Sequence, residues 1–272
     1  MNFFEKSLYF LQGEMERPTA FGWFHLLCIG IMLLAIVLLY CFRKKYNEKR
    51  LKTLLLTYGS VAFILELIKQ LIWSFNYDSG TGVITWDYQW YSFPFQLCTT
   101  PIFVSLVCAF VKPSKFRDSL LSYLSFVTIL GSISTILIPD SCFVETIEVN
   151  IHTMWLHLGS FVVSVYLLMV GKVKLDKSSL KNALFVFVGF VLLAQVLNIS
   201  VYHSGILHGE TFNMFYISPY FISTLPVFDI IQQNVPYTIY LAIYIVAISL
   251  GALIIFMIAK LIEKVCKKGK SK

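Results

Sequence analysis

Charge is what this sequence has least of. Of its 272 residues, Asp, Glu, Lys and Arg make up only 14%, where a soluble globular chain carries roughly a quarter. That leaves too few polar groups to cover a water-facing surface. With 57% apolar residues the chain reads as an all-α integral membrane protein. Paired cysteine spacing is missing too: there are six cysteines and no CxxC, which argues against thiolate metal sites and redox motifs. Cys28, Cys41 and Cys108 lie inside apolar runs and read as small core hydrophobes. No HExxH and no acidic cluster occur, so neither a metal nor a cofactor is expected. No internal repeat, low-complexity tract or linker breaks the chain, so 1–272 reads as one polytopic domain. Glu5 precedes any apolar core and no small-residue cleavage site follows, so no signal peptide is read. The net charge of +7 is not spread along a face. It falls in short clusters between apolar runs, which argues against nucleic acid as a partner.

What is present is a series of apolar runs. Crossing about 30 Å of hydrocarbon takes roughly 20 helical residues. Seven runs qualify: about 20–42, 53–75, 92–111, 119–139, 150–171, 182–203 and 236–259. The basic residues alternate with them. Arg43, Lys44, Lys45, Lys49, Arg50 and Lys52 fill one loop. Lys112, Lys115 and Arg117 fill the next on that side, and Lys172, Lys174, Lys177 and Lys181 the third. Lys260, Lys264, Lys267, Lys268, Lys270 and Lys272 fill the tail. These are 19 of the 22 basic residues. Only Lys6 and Arg17 fall opposite, and Lys69 lies inside a span. The asymmetry predicts a seven-transmembrane-helix bundle with the N-terminus outside and the C-terminus cytoplasmic, as a multi-pass protein of the cell (plasma) membrane. Residues 1–16, with Phe3, Phe4, Leu8 and Leu11 at helical spacing, read as an interfacial helix. The long connection 204–235 is rich in Phe, Tyr and Ile. It is expected to cover the bundle mouth or re-enter it, because irregular backbone is not tolerated against lipid.

Polar side chains within apolar runs are costly and mark function or packing. Glu66, Lys69, Gln70 and Trp73 share one helix face at i, i+3, i+4 and i+7, and Glu66 can pair with Lys69. A structural ion pair is the plain reading of these two. The stretch "FPFQLCTTP", Phe93 to Pro101, places a thiol among hydroxyls and an amide. At 1.5 Å per residue, Cys98 and Lys69 lie about 9 Å below the outer boundary, His157 about 10 Å, and His25 and Asn198 about 7–8 Å. A thiol and an imidazole at one depth suggest nucleophilic catalysis, in which a histidine activates Cys98 and Lys69 favours the thiolate. Gln96, Thr99, Thr100 and backbone N–H groups are the candidate oxyanion donors. Pro101 should free a carbonyl one turn back, near Cys98. The other reading of Cys98 is a packed, inert thiol. His152 and His157, about 140° apart on a helix, cannot share a face, and depth favours His157. His203 and His208 read as surface histidines. Asp78, Asp87, Glu145 and Glu148 read as solvated loop residues.

The chain resembles the bacterial YwaF-like integral membrane proteins, which are similar to the eukaryotic transmembrane protein 164 family. The resemblance covers almost the whole chain. It rests on "FGWFHLL" (Phe21 to Leu27), "FPFQLC", "HTMWLHLGSF", and the late "FNMFYISPY" and "STLPVFD" followed by "VPYTIY". The resemblance implies cysteine-dependent transfer of a fatty acyl chain from a phospholipid to a lysophospholipid. The family's cysteine falls on Cys98, its histidine on His157, and the position two before the cysteine is Gln96 rather than a base.

The leading expectation is therefore a membrane-embedded acyltransferase or lipid hydrolase acting on glycerophospholipids. Cys98 and His157 are catalytic and Gln96 and Thr99 bind the oxyanion. Glu66, Lys69 and His25 shape the pocket and hold a headgroup, and Gln70, His152 and Asn198 complete its lining. A transporter or small-molecule binder with a proton-linked polar cavity is the alternative, and an interaction subunit without chemistry the third. A transporter usually shows repeats or paired discontinuous helices. An interaction subunit has no need of Glu, Lys, Cys and His at one level.

Overall fold

The computed structural model describes residues 1–140 and 142–268. Lys270 and Lys272 of the basic tail lie outside the described residues. Among the described residues, six helices are long and apolar enough to cross a membrane. They are α2 (Trp23–Phe42), α3 (Glu48–Ser74), the joined α5 (Lys115–Tyr123) and α6 (Ile129–Leu137), α7 (Ile147–Met169), α8 (Lys177–His203) and α10 (Tyr237–Lys268). Side-chain caps explain several starts: Asn47 accepts from the Arg50 N–H, Ser114 from Arg117, and Asp176 from Ser179. The bundle's outer faces stay apolar and exposed, as a lipid-facing surface requires. Cys41, expected in a core, is exposed on α2, the helix with the least buried surface of the six.

The run 92–111 departs from a continuous helix. Only α4 (Thr100–Phe110) is helical, and its 11 residues span about half the hydrocarbon thickness. The two prolines account for this. Phe93, ahead of Pro94, is extended, as a residue preceding proline prefers. Pro101 sits in the first turn of α4, where its missing N–H costs nothing but where an upstream helix cannot pass through it. The carbonyl expected to be freed near Cys98, that of Leu97, accepts from the Thr100 hydroxyl at 2.8 Å.

The helix from 115 to 137 is the most enclosed of the six. Between α5 and α6 it loosens into a π-helical turn, Leu124–Thr128. The Leu124 carbonyl accepts from the hydroxyls of Ser164 (2.6 Å) and Thr128 (2.9 Å), so the irregularity leaves no orphan there. Two glycines set close approaches. A Cβ at Gly59 would meet Leu106 at 2.9 Å, and one at Gly159 would meet the Tyr58 ring at 2.8 Å. Side chains at these positions would push α3 away from α4 and α7.

The two ends of the bundle differ in chemistry. At one, Glu48 binds Arg117 at 2.8 Å and Lys172 at 3.2 Å, which ties three basic loops together. At the other lie α1 (Phe3–Leu11) and a short hairpin, β1 (Phe75–Tyr77) with β2 (Ile84–Trp86). A capping box between Asn2 and Glu5 starts α1. Its Leu8 is buried while Phe3 and Phe10 are 88% and 81% exposed. Gln12 donates to the carbonyls of Ile72 and Phe75, which fixes α1 over the end of α3.

The connection 204–235 carries a short α9 (Phe228–Asn234) and re-enters the bundle. Phe212, Met214, Phe215, Ile217 and Ser218 are all fully buried. Buried backbone needs partners, and side chains supply them. Asn198 grips Met214 at both N–H and C=O. Gln96 accepts from the Phe215 N–H and donates to the Asn213 carbonyl. Tyr240 donates to the Tyr216 carbonyl. Phe215 and Tyr216 are held at φ of 58° and 60°, a left-handed conformation costing roughly 1–3 kcal/mol per residue for non-glycine types.

Candidate functional site

Cys98 lies in the turn that precedes α4, packed against the main hydrophobic core but only half-buried itself. The Gln96 carbonyl accepts from the N–H groups of Thr99 and Thr100. Among the described residues, the N–H groups of Leu97 and Cys98, which precede the Thr99 N-cap of α4, donate to no oxygen, and the Cys98 N–H lies near its own sulfur. Four tyrosines neighbour the thiol electrostatically: Tyr58, Tyr123, Tyr216 and Tyr244. Lys69 and Glu66 act on it as the nearest fixed charges.

His157 is half-buried and sits about 200° around α7 from the exposed Trp155, so it faces the bundle interior. Its ring lies against Gly131 of α6, with Nδ1 and Cε1 on that side. Tyr58 approaches both candidates: its hydroxyl donates to the Leu156 carbonyl at 3.0 Å, beside His157, and Cys98 acts on it electrostatically. No hydrogen bond joins Cys98 Sγ to His157 directly among the described residues. Catalytic contacts are often longer than a hydrogen bond before substrate binds.

The face of α3 read from spacing is realised. Lys69 Nζ lies 2.8 Å from Glu66 Oε1, Gln70 donates to the same oxygen at 2.7 Å, and Lys69 stands 5.4 Å from the Trp73 ring centre. His152 joins this network: its Nε2 is 2.9 Å from Glu66 Oε2, though out of line for a full hydrogen bond. So the two histidines of α7 part company, His152 towards Glu66 and His157 towards α6. Glu148, expected in solvent, is buried at 7% exposure, one turn above His152 on the same face. Neither of its carboxylate oxygens has a hydrogen-bond partner. It sits in the first turn of α7, and its nearest charges are Lys69 and Glu66.

The expected oxyanion side chains have other partners. Thr99 Oγ1 donates to the Gln96 carbonyl and accepts from the Gln96 N–H. The Gln96 amide is committed at both ends to residues 213–215. Thr100 shares a 2.6 Å contact with Tyr123. Spacing alone could not show these local bonds, because they depend on the proline-broken turn. Asn198 serves the Met214 backbone. His25 is fully buried in a satellite core with Phe24 and Phe143. Its Nδ1 accepts from the Phe21 N–H, and its Nε2 has no partner. His203 bonds the Tyr220 hydroxyl at the surface. The sequence reading missed the four tyrosines: all occur in apolar runs or loops where an aromatic residue carries no signal.

Among the described residues no three His, Cys, Asp or Glu side chains stand together as metal ligands. No curated protein and no solved structure matches the chain. The sequence model of one family does match, over residues 20–260, a stretch that takes in every polar group of this site. The chain belongs to the TMEM164 family.

Proposed function

We propose that this multi-pass membrane protein transfers acyl chains between glycerophospholipids through a thioester on Cys98. The observation that carries the reading is the turn at Cys98. A thiol stands at a proline-broken helix start inside an apolar bundle, beside N–H groups that donate to no oxygen among the described residues, and His157 of α7 turns into the same bundle interior. His157 takes the thiol proton as the sulfur attacks the ester carbonyl and a C–S bond forms. The N–H groups of Leu97 and Cys98 face the developing oxyanion. Collapse breaks the ester C–O bond, and His157 returns the proton to the departing glycerol oxygen. A lysophospholipid hydroxyl, or water, then repeats these steps in reverse and restores the thiol.

In this reading α4 and its irregular lead-in count as the seventh crossing. The basic loops lie in the cytoplasm, the N-terminus lies outside, and α1 rests on the outer surface of the plasma membrane with Phe3 and Phe10 in the lipid. The site then opens to the outer leaflet. A second reading, a polar binding or transport cavity, draws on Glu148, whose two partnerless oxygens stand above the Glu66–Lys69–His152 network.

The test is chemical. Incubation of purified protein with phospholipid should leave an acyl group released by neutral hydroxylamine, absent in Cys98→Ala. Cys98 should also react with a lipid-like electrophile faster than Cys28 or Cys108. Full lipid remodelling by Cys98→Ala would end the acyl-enzyme reading and favour the cavity.

A further inference from the structure

We infer that the Tyr216 hydroxyl donates a hydrogen bond to the oxyanion formed during acyl transfer at Cys98. The inference rests on the thioester reading and adds a catalytic residue to it.

Of the four tyrosines around the thiol, three are closed off. Tyr58 is 3% exposed and its hydroxyl donates to the Leu156 carbonyl. Tyr123 is fully buried and shares its hydroxyl with Thr100. Tyr244 is 1% exposed within the core. Tyr216 alone of the four keeps accessible surface, as Cys98 does. The Tyr216 phenol lies near the Thr224 hydroxyl, and a phenol that accepts from a neighbour keeps its own O–H to donate.

The backbone supports the same assignment. Phe215 and Tyr216 are consecutive non-glycine residues in the left-handed region. Such strain persists only where surroundings over-determine it, and it gathers at functional sites. Here the surroundings include the Cys98 turn itself. Gln96 binds 213 and 215, and Phe95 stacks on Phe215 at 5.7 Å. Asn198 holds 214 and Tyr240 holds the carbonyl of 216. The segment carrying the thiol and the segment carrying the phenol are thus bolted together across about 120 residues of chain. This gives Gln96 a role: it registers Tyr216 to Cys98.

In the step proposed, the Cys98 sulfur forms its bond to the acyl carbon and the carbonyl π pair moves onto oxygen. Tyr216 donates a hydrogen bond to that oxygen without giving up its proton. The pair returns as the ester C–O bond breaks, and the leaving oxygen takes its proton from His157.

The experiment compares two reactions at Cys98 in the full chain. Acylation by p-nitrophenyl decanoate passes through an oxyanion; alkylation by iodoacetamide does not. Tyr216→Phe should slow the acylation burst about 100-fold, with little change in KM, and leave alkylation unaltered. Equal slowing of both, or of neither, overturns the inference. Should Tyr216→Phe fail to fold, a fluorinated tyrosine at 216 keeps the shape and alters only the donor. It should change the acylation rate but not alkylation, and no change in acylation overturns the inference. A burst that persists in Cys98→Ala removes the thioester reading itself. A burst lost in Cys98→Ala but kept in Tyr216→Phe removes only the role of Tyr216.

Discussion

Glu66 shows how one buried charge organises its neighbours. Three side chains converge on its carboxylate: Lys69, Gln70 and His152, drawn from α3 and α7. A charge at this depth is tolerated because its partners are already in place. Removing one member leaves the others desolvated and unpaired, which costs about 3–5 kcal/mol in buried pairs. Loss of Lys69 leaves Glu66 with Gln70 and His152, whereas loss of Glu66 leaves Lys69 with the Trp73 ring and the Glu148 carboxyl, to which no hydrogen bond joins it among the described residues. Glu66→Leu should therefore reduce folded yield more than Lys69→Met, and the double change should recover part of the loss. Size-exclusion yield in detergent measures all three. Strictly additive losses would show that the two side chains do not share one environment.

At the scale of elements, the re-entrant segment is the least ordinary part of the fold. Its backbone lies where neither helix nor sheet can satisfy it, so Asn198 and Gln96 act as substitute strands. Each offers an acceptor and a donor to one short stretch. An unpaired buried polar group costs about 1–3 kcal/mol. Asn198→Leu strands two groups on Met214 and should lower the thermal midpoint by several degrees. An unchanged midpoint would mean that water replaces the side chain. Gln96→Leu should lower it similarly, and should also slow acylation if the register between Cys98 and Tyr216 matters.

For the whole molecule, the question is which end faces the cytoplasm. The 19 basic residues counted from sequence lie in three loops and the tail. Three of those loops meet through Glu48, Arg117 and Lys172 at one end of the bundle. The Asp78 turn and α1 occupy the other end, where the Thr81 hydroxyl and the Gly80 N–H hold the Asp78 carboxyl below the usual carboxylate range. Tags placed at the C-terminus and within 43–52 should be reached only from the cytoplasm, and a tag within 76–91 only from outside. An externally reachable C-terminus would invert the orientation and turn the site to the inner leaflet.

Composition by itself determined that this chain lives in a membrane, because 14% charge cannot solvate a surface. Helical periodicity placed Glu66, Lys69, Gln70 and Trp73 on one face, since a regular helix converts spacing into direction. The basic clusters separated the loops into two groups for a similar reason: their position along the chain is their position in space. Other features were legible only in part. Pro94 and Pro101 were visible, but that the helix starts only after Cys98, leaving N–H groups there without an oxygen partner among the described residues, depended on where α4 packs. Tertiary structure alone decided the rest. Glu148 looked like a loop residue and is buried, because α7 begins earlier than its apolar run does. Gln96 and Thr99 looked like ligands for an oxyanion and are spent on backbone. Tyr216 carried no signal at all. Its segment packs against the Cys98 turn only because a stretch more than 100 residues downstream re-enters the bundle, and sequence spacing holds no information about contacts made by irregular backbone over such distances.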